Sequence, residues 1–75
     1  MFGSDMRSFY TTYKHIRVFV LGVPESWHVA LYDLQAKKWL DVGGSIDGTL
    51  RNAKQQGLEQ AAAIIGRKVP ELKWH

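Results

Sequence analysis

Three histidines, His15, His28 and His75, are the side chains of this 75-residue sequence whose ordinary pKa lies near neutrality. General acid–base work would need one of them beside a carboxylate, and Asp41 is the nearest candidate in a strand-like segment. Parity along neighbouring strands would set His15, His28 and Asp41 on one side of a sheet, but parity alone brings almost any polar residues together. The histidines lack the HxxxH or HExxH spacing of a helix-borne metal site, and the chain has no cysteine to supply a thiolate. Gly43-Gly44-Ser45 precedes a helical pattern, as a phosphate-cradling loop would. It lacks both GxGxxG and the GK[ST] ending, so it reads as a turn. Each histidine therefore reads as a structural or surface residue. No catalytic centre, metal or cofactor is expected.

Recognition chemistry is better represented. From Tyr13 to Leu21 one parity reads Tyr13, His15, Arg17, Phe19, Leu21 and the other Lys14, Ile16, Val18, Val20. A period of two sends these sets to opposite faces of a strand. One set is core-like; the other mixes aromatic, basic and apolar side chains, unlike a simple solvated face. His28 and Tyr32 on a second strand and Trp39 on a third extend it. The candidate binding residues are thus Tyr13, His15, Arg17, Phe19, His28, Tyr32 and Trp39, with Asp41 beside them.

The elements that must position these residues follow from pattern and turn chemistry. Strand one is expected over 10–21, rich in β-branched and aromatic residues. Gly22 to Ser26, centred on Pro24, is a turn. Strand two covers 27–34, a polar turn follows, and strand three is short, 39–42, ended by Gly43-Gly44-Ser45. Leu50, Ala53, Gly57, Leu58, Ala61, Ile64 and Ile65 keep helical spacing. Asp47 or Thr49 can cap its start and Gly66 suits its left-handed end. Gly57, flanked at four-residue steps by Ala53 and Ala61, predicts close approach of helix to sheet. Val69 to Trp74 reads as a final edge strand, since Pro70 lacks a ladder donor. The expected fold is α+β, a small single domain ordered β-β-β-α-β, with an antiparallel sheet and one helix packed on one face. Residues 1–9 read as a flexible N-terminal segment and 10–75 as the domain.

Composition sets bounds on function. Hydrophobic residues make up 45% and charged residues 23%, which fits a globular chain rather than a disordered one. A domain this small buries only roughly 60% of its unfolded surface, so partners can add to its stability. The apolar run Val18 to Val23 is too short to span a bilayer. No signal peptide is read at the N-terminus, and the absence of cysteine fits a reducing, cytoplasmic setting. The net charge of +3 is a mild attraction for polyanions and an ordinary value for solubility.

With one helix, only one sheet face can be covered. Ile16, Val18, Val20, Trp27, Val29, Leu31, Leu40 and Val42 are the expected covered set. The aromatic face stays open, and exposed apolar surface usually marks an interface. The expectation is a non-enzymatic interaction module that self-associates as a homodimer, or binds another protein, through this face. The alternative is a single-stranded nucleic-acid binder, stacking bases on Tyr13, Phe19, Tyr32 and Trp39 with Arg17, Lys14, Lys37 and Lys38 on the phosphates. Only Arg17 is firmly basic on the face itself, which ranks this second.

Overall fold

The computed structural model describes residues 6–75. Four strands form an antiparallel meander: β1 (Arg7–Tyr13), β2 (Ile16–Val23), β3 (Glu25–Asp33) and β4 (Lys38–Gly48), in the spatial order β1-β2-β3-β4. Helix α1 (Leu50–Ile65) follows and packs on β2, β3 and β4. The class is α+β as the sequence implies, with an antiparallel sheet and one helix on one face. The order is ββββα instead of β-β-β-α-β.

Two departures account for the difference. The long first strand is a hairpin, because Lys14-His15 forms a two-residue turn between paired Tyr13 and Ile16. Lys14 adopts a left-handed φ of 58°, a conformation that costs a non-glycine residue about 1 kcal/mol. β1 starts at Arg7, inside the segment read as a flexible lead-in; residues 1–5 of that segment lie outside the described residues. Gly43 and Gly44 do not end the third expected strand. They pair with Ala30 and Val29, and the ladder runs on to Gly48. Between Ala30 and Tyr32 the register shifts: Leu31 alone spans three β4 residues, Leu40 to Val42. Two extra residues preserve parity, so Trp39 and Gly43 still share a face.

The expected last strand is not one. Residues 67–75 return from the helix to the free edge of β1 and pair with it at one point. Tyr10 and His75 exchange backbone hydrogen bonds of 2.9 and 2.8 Å, and the Thr11 hydroxyl donates to the Lys73 carbonyl. Pro70 cannot donate to a ladder, consistent with so brief a pairing.

The core lies between sheet and helix. Ile16, Val18, Val20, Trp27, Val29 and Leu31 meet Ala53 and Ala61, with Leu58 and Ala62 also buried. Leu40, Ile46, Leu50, Phe9, Tyr13 and Trp74 close its margins. Val42, expected inside, is 44% exposed because the β4 excursion carries it off the ladder; Ile64 is equally exposed near the helix end. Thr49 caps the helix, its Oγ1 accepting from Asn52 N–H at 3.1 Å. Gly66 closes it at φ 80°, donating to the Ala62 carbonyl. Gly57 is buried where the helix crosses the sheet. A Cβ added there would stand 2.7 Å from Val18 Cγ1, so the helix sits as close as glycine permits.

Candidate functional site

The register defines the face that the helix leaves open. Rows of laterally paired residues cross the sheet as Thr12–Arg17–Tyr32–Trp39, Tyr10–Phe19–Ala30–Gly43 and Ser8–Leu21–His28–Ser45. Directly opposed residues point to the same side, so these rows form the surface away from the core. Five of the seven candidate residues lie on it: Arg17, Phe19, His28, Tyr32 and Trp39.

Two do not. Tyr13 sits opposite Ile16 on the inner side, packs against the core and directs its hydroxyl to the Lys68 carbonyl at 3.3 Å. His15 lies in the β1–β2 turn, where its carbonyl accepts from Leu34 N–H at 2.8 Å. The cause is the hairpin, which breaks the alternation before Ile16. His15 is then six residues along the chain from Leu21, the lateral partner of His28. That places it about 20 Å away at strand rise, so His15, His28 and Asp41 form no cluster. Among the described residues no three His, Asp or Glu side chains gather as a metal site would require.

The sequence reading missed Tyr10 and His75. Tyr10 joins the face from β1, and His75 is brought alongside by the backbone pairing at Tyr10. The aromatic rings then form a connected series across the sheet. His75 lies 5.3 Å from Tyr10, Tyr10 6.1 Å from Phe19, Phe19 5.4 Å from Trp39, and Trp39 5.0 Å from Tyr32, between ring centroids. Small Ala30 between Phe19 and the β4 side lets Trp39 lean across to reach Phe19. Trp39 is 60% exposed and Tyr10 39%.

Charge is distributed unevenly. The Arg17 guanidinium lies 5.1 Å over the Tyr10 ring, and its Nε donates to Thr12 Oγ1 at 3.0 Å. At the other side, Asp41 shares a shallow hollow with Trp39, His28, Ala30 and Gly43. The face thus has a ridge with a cation at β1–β2 and a hollow with a carboxylate at β3–β4. Asp33, off this face, organises the β3–β4 turn by accepting from the N–H groups of Gln35 and Ala36, both at 2.9 Å. The Ala36 N–H in particular holds its carboxyl below the usual range, against an opposing effect of burial. The Gln35 N–H and the charges of His15 and Lys38 act in the same direction as Ala36.

No protein-family model, curated protein or solved structure matches this chain significantly. The residues themselves therefore carry the functional argument. Among the described residues no helix is long and apolar enough to cross a membrane. On the covered side, Lys54 extends its amine over Phe9 at 4.4 Å and over Trp74 at 5.3 Å, closing the seam between helix and returning tail. Such a lysine seals the margin with its stem while its charge rests on ring faces. On the uncovered side Arg17 rests on Tyr10 in a similar way, but among the described residues no helix lies over that face.

Proposed function

We propose that this protein is a non-enzymatic interaction module that self-associates through its uncovered sheet face. The observation that supports the reading most directly is the connected ring series that includes Trp39, 60% exposed on a face that the helix and the other described residues leave uncovered. Two such sheets can stack as a sandwich about 10 Å apart, each filling the other's outer layer. Aromatics suit the centre of an interface because they supply large area with few rotors to order.

Single-stranded nucleic acid is the competing ligand for a sheet of this kind. The rings here lean on one another at interplanar angles of 34° to 75°. A base-stacking platform instead presents separate faces. Arg17 is held by Thr12 and Tyr10, and a carboxylate stands beside Trp39. These features favour a protein surface.

Four strands about 4.8 Å apart and eight residues long give a flat footprint of roughly 500 Å². Standard interfaces bury about 800 Å² per partner, so a weak dimer is expected, with Kd in roughly the micromolar range or above. The test is sedimentation over a concentration series reaching about 1 mM, with Trp39→Ser beside the wild type. Self-association predicts a mass rising with concentration in the wild type and a weakened rise in the variant, whose circular dichroism stays native. A wild type monomeric throughout rejects the reading. Salt-sensitive binding of a single-stranded oligonucleotide in its place selects the competing one.

A further inference from the structure

The two halves of the open face differ in charge and, in the row Tyr10–Phe19–Ala30–Gly43, in side-chain size, and both differences are complementary. The β1–β2 half carries the Tyr10 ring with Arg17 over it. The β3–β4 half carries exposed Trp39 and, beside it, a shallow hollow lined by Gly43, Ala30 and Asp41. Among the outward strand positions of the described residues, Arg17 is the permanent cation. Asp41 and Asp47, the latter paired laterally with Ser26, are the carboxylates.

Resting on the self-association reading, we propose that two copies stack about a two-fold axis parallel to the strands. The Tyr10–Arg17 ridge of each copy then seats in the Trp39–Asp41–Gly43 hollow of the other. A two-fold running along the strands and midway between β2 and β3 sets β1 over the second copy's β4 and β2 over its β3, each row facing itself reversed. In the second row this places Tyr10 over Gly43, a ring over a position without a side chain. In the first row it places Arg17 over Tyr32, one strand from Trp39 and Asp41 and within the span of an arginine side chain. Both contacts occur twice, because such an interface is isologous.

The other stacking that keeps the strands of the two sheets aligned fails on charge. A two-fold axis across the strands stacks β4 on β4 and β2 on β2. It gathers the carboxylates of both copies on one side and leaves Arg17 over a β2 strand that offers no acidic group. Like charges brought together disfavour a wrong pairing, while opposite charges select the right one. Arg17 is already oriented by Thr12 and Tyr10, which reduces the ordering cost of presenting its remaining N–H groups.

The experiment is a charge swap in trans. Arg17→Glu and Asp41→Arg are made separately, and native folding is verified by circular dichroism. In each homodimer both contacts become repulsive, and affinity falls by about tenfold or more. Mixed in equal amounts, the two variants restore both contacts. The introduced glutamate of one copy faces the introduced arginine of the other, and the original Arg17 faces the original Asp41. The expected result is that each variant sediments as a monomer where wild type dimerises, and that the mixture recovers the dimer. A mixture no tighter than its components, with wild type still dimeric, overturns this docking and leaves self-association standing. A wild type that never dimerises removes the underlying reading instead. If Arg17→Glu loses its native spectrum, the cycle Arg17→Ala, Asp41→Ala and the double variant replaces it. Coupling in dimer affinity then upholds the contact, and strict additivity rejects it.

Discussion

Replacing Gly57 with alanine sets helix propensity against packing. In an exposed helix the change would stabilise by about 1 kcal/mol, the ordinary advantage of alanine over glycine. Here the new Cβ would stand 2.7 Å from Val18 Cγ1 and 3.2 Å from Val29 Cγ1. Carbon atoms prefer about 3.5–4.0 Å, so the shortfall against Val18 is roughly 1 Å. Val18 has little room to yield. It is fully buried, its lateral neighbours are Thr11 and Leu31, and a β-branched side chain is stiff at χ1. Overpacking of this kind costs about 1–3 kcal/mol. Set against the propensity gain, the net effect is a loss of about 1 kcal/mol, or a fall in Tm of roughly 4–8 °C for a domain of this size. Thermal and urea unfolding measure it. The same substitution on a Val18→Ala background, where the nearest methyl is gone, should lose more than half its cost. A Gly57→Ala protein as stable as wild type, or a cost unchanged by Val18→Ala, would refute the claim that close approach fixes this glycine.

Thr49→Ala removes the acceptor for Asn52 N–H and should destabilise the protein by about 1 kcal/mol in urea unfolding, with Thr49→Ser retaining most of it. The Asp33 carboxyl is lowered in the folded chain from its ordinary 3.8. Its contribution is therefore present above that value and is lost as pH falls through the folded pKa; Asp33→Asn should flatten this limb of the acid-stability profile. Trp74→Ala strips a half-buried ring from the core margin and should cost roughly 2 kcal/mol, about half the loss for a fully buried tryptophan. Hydrogen exchange should accelerate at the Tyr10 amide, which donates to His75.

The helix was the most legible element, because cap, spacing and C-terminal glycine agreed with one another. The covered face of β2 and β3 was legible too, since alternation there is clean. The first hairpin was not. Tyr13-Lys14-His15-Ile16 contains no Gly, Asn, Asp or Pro, and its turn relies on a lysine at φ 58°. The remaining clue was length: a single strand of twelve residues exceeds the usual three to ten. That one error removed Tyr13 and His15 from the candidate face and hid Tyr10. Gly43-Gly44 misled in the opposite sense, since glycines that read as a stop are accommodated in a ladder with positive φ. Trp39 remained on its predicted side only because the β4 excursion adds two residues. An excursion of one would have sent it to the core.

Whether the outer rings serve the sheet or a partner turns on where they sit. Cross-strand aromatic pairs stiffen a sheet by about 0.2–1 kcal/mol each, and Tyr10, Phe19 and Tyr32 each lie beside at least one ring. Trp39 touches Phe19 and Tyr32 yet keeps 60% of its surface in solvent. A ring selected for intrachain pairing alone would be expected to lie flat and bury more. The two roles predict opposite outcomes for Trp39→Ser. If the ring serves the sheet, the monomer loses stability by up to about 2 kcal/mol, the upper value for two pairs, and its mass behaviour is unchanged. If it serves a second copy, unfolding of the dilute monomer shifts by less than about 0.5 kcal/mol, as for most exposed positions, while the concentration-dependent mass is lost. Measuring both on one variant separates sheet from interface, and a stability loss without a mass change would assign the whole aromatic row to the sheet.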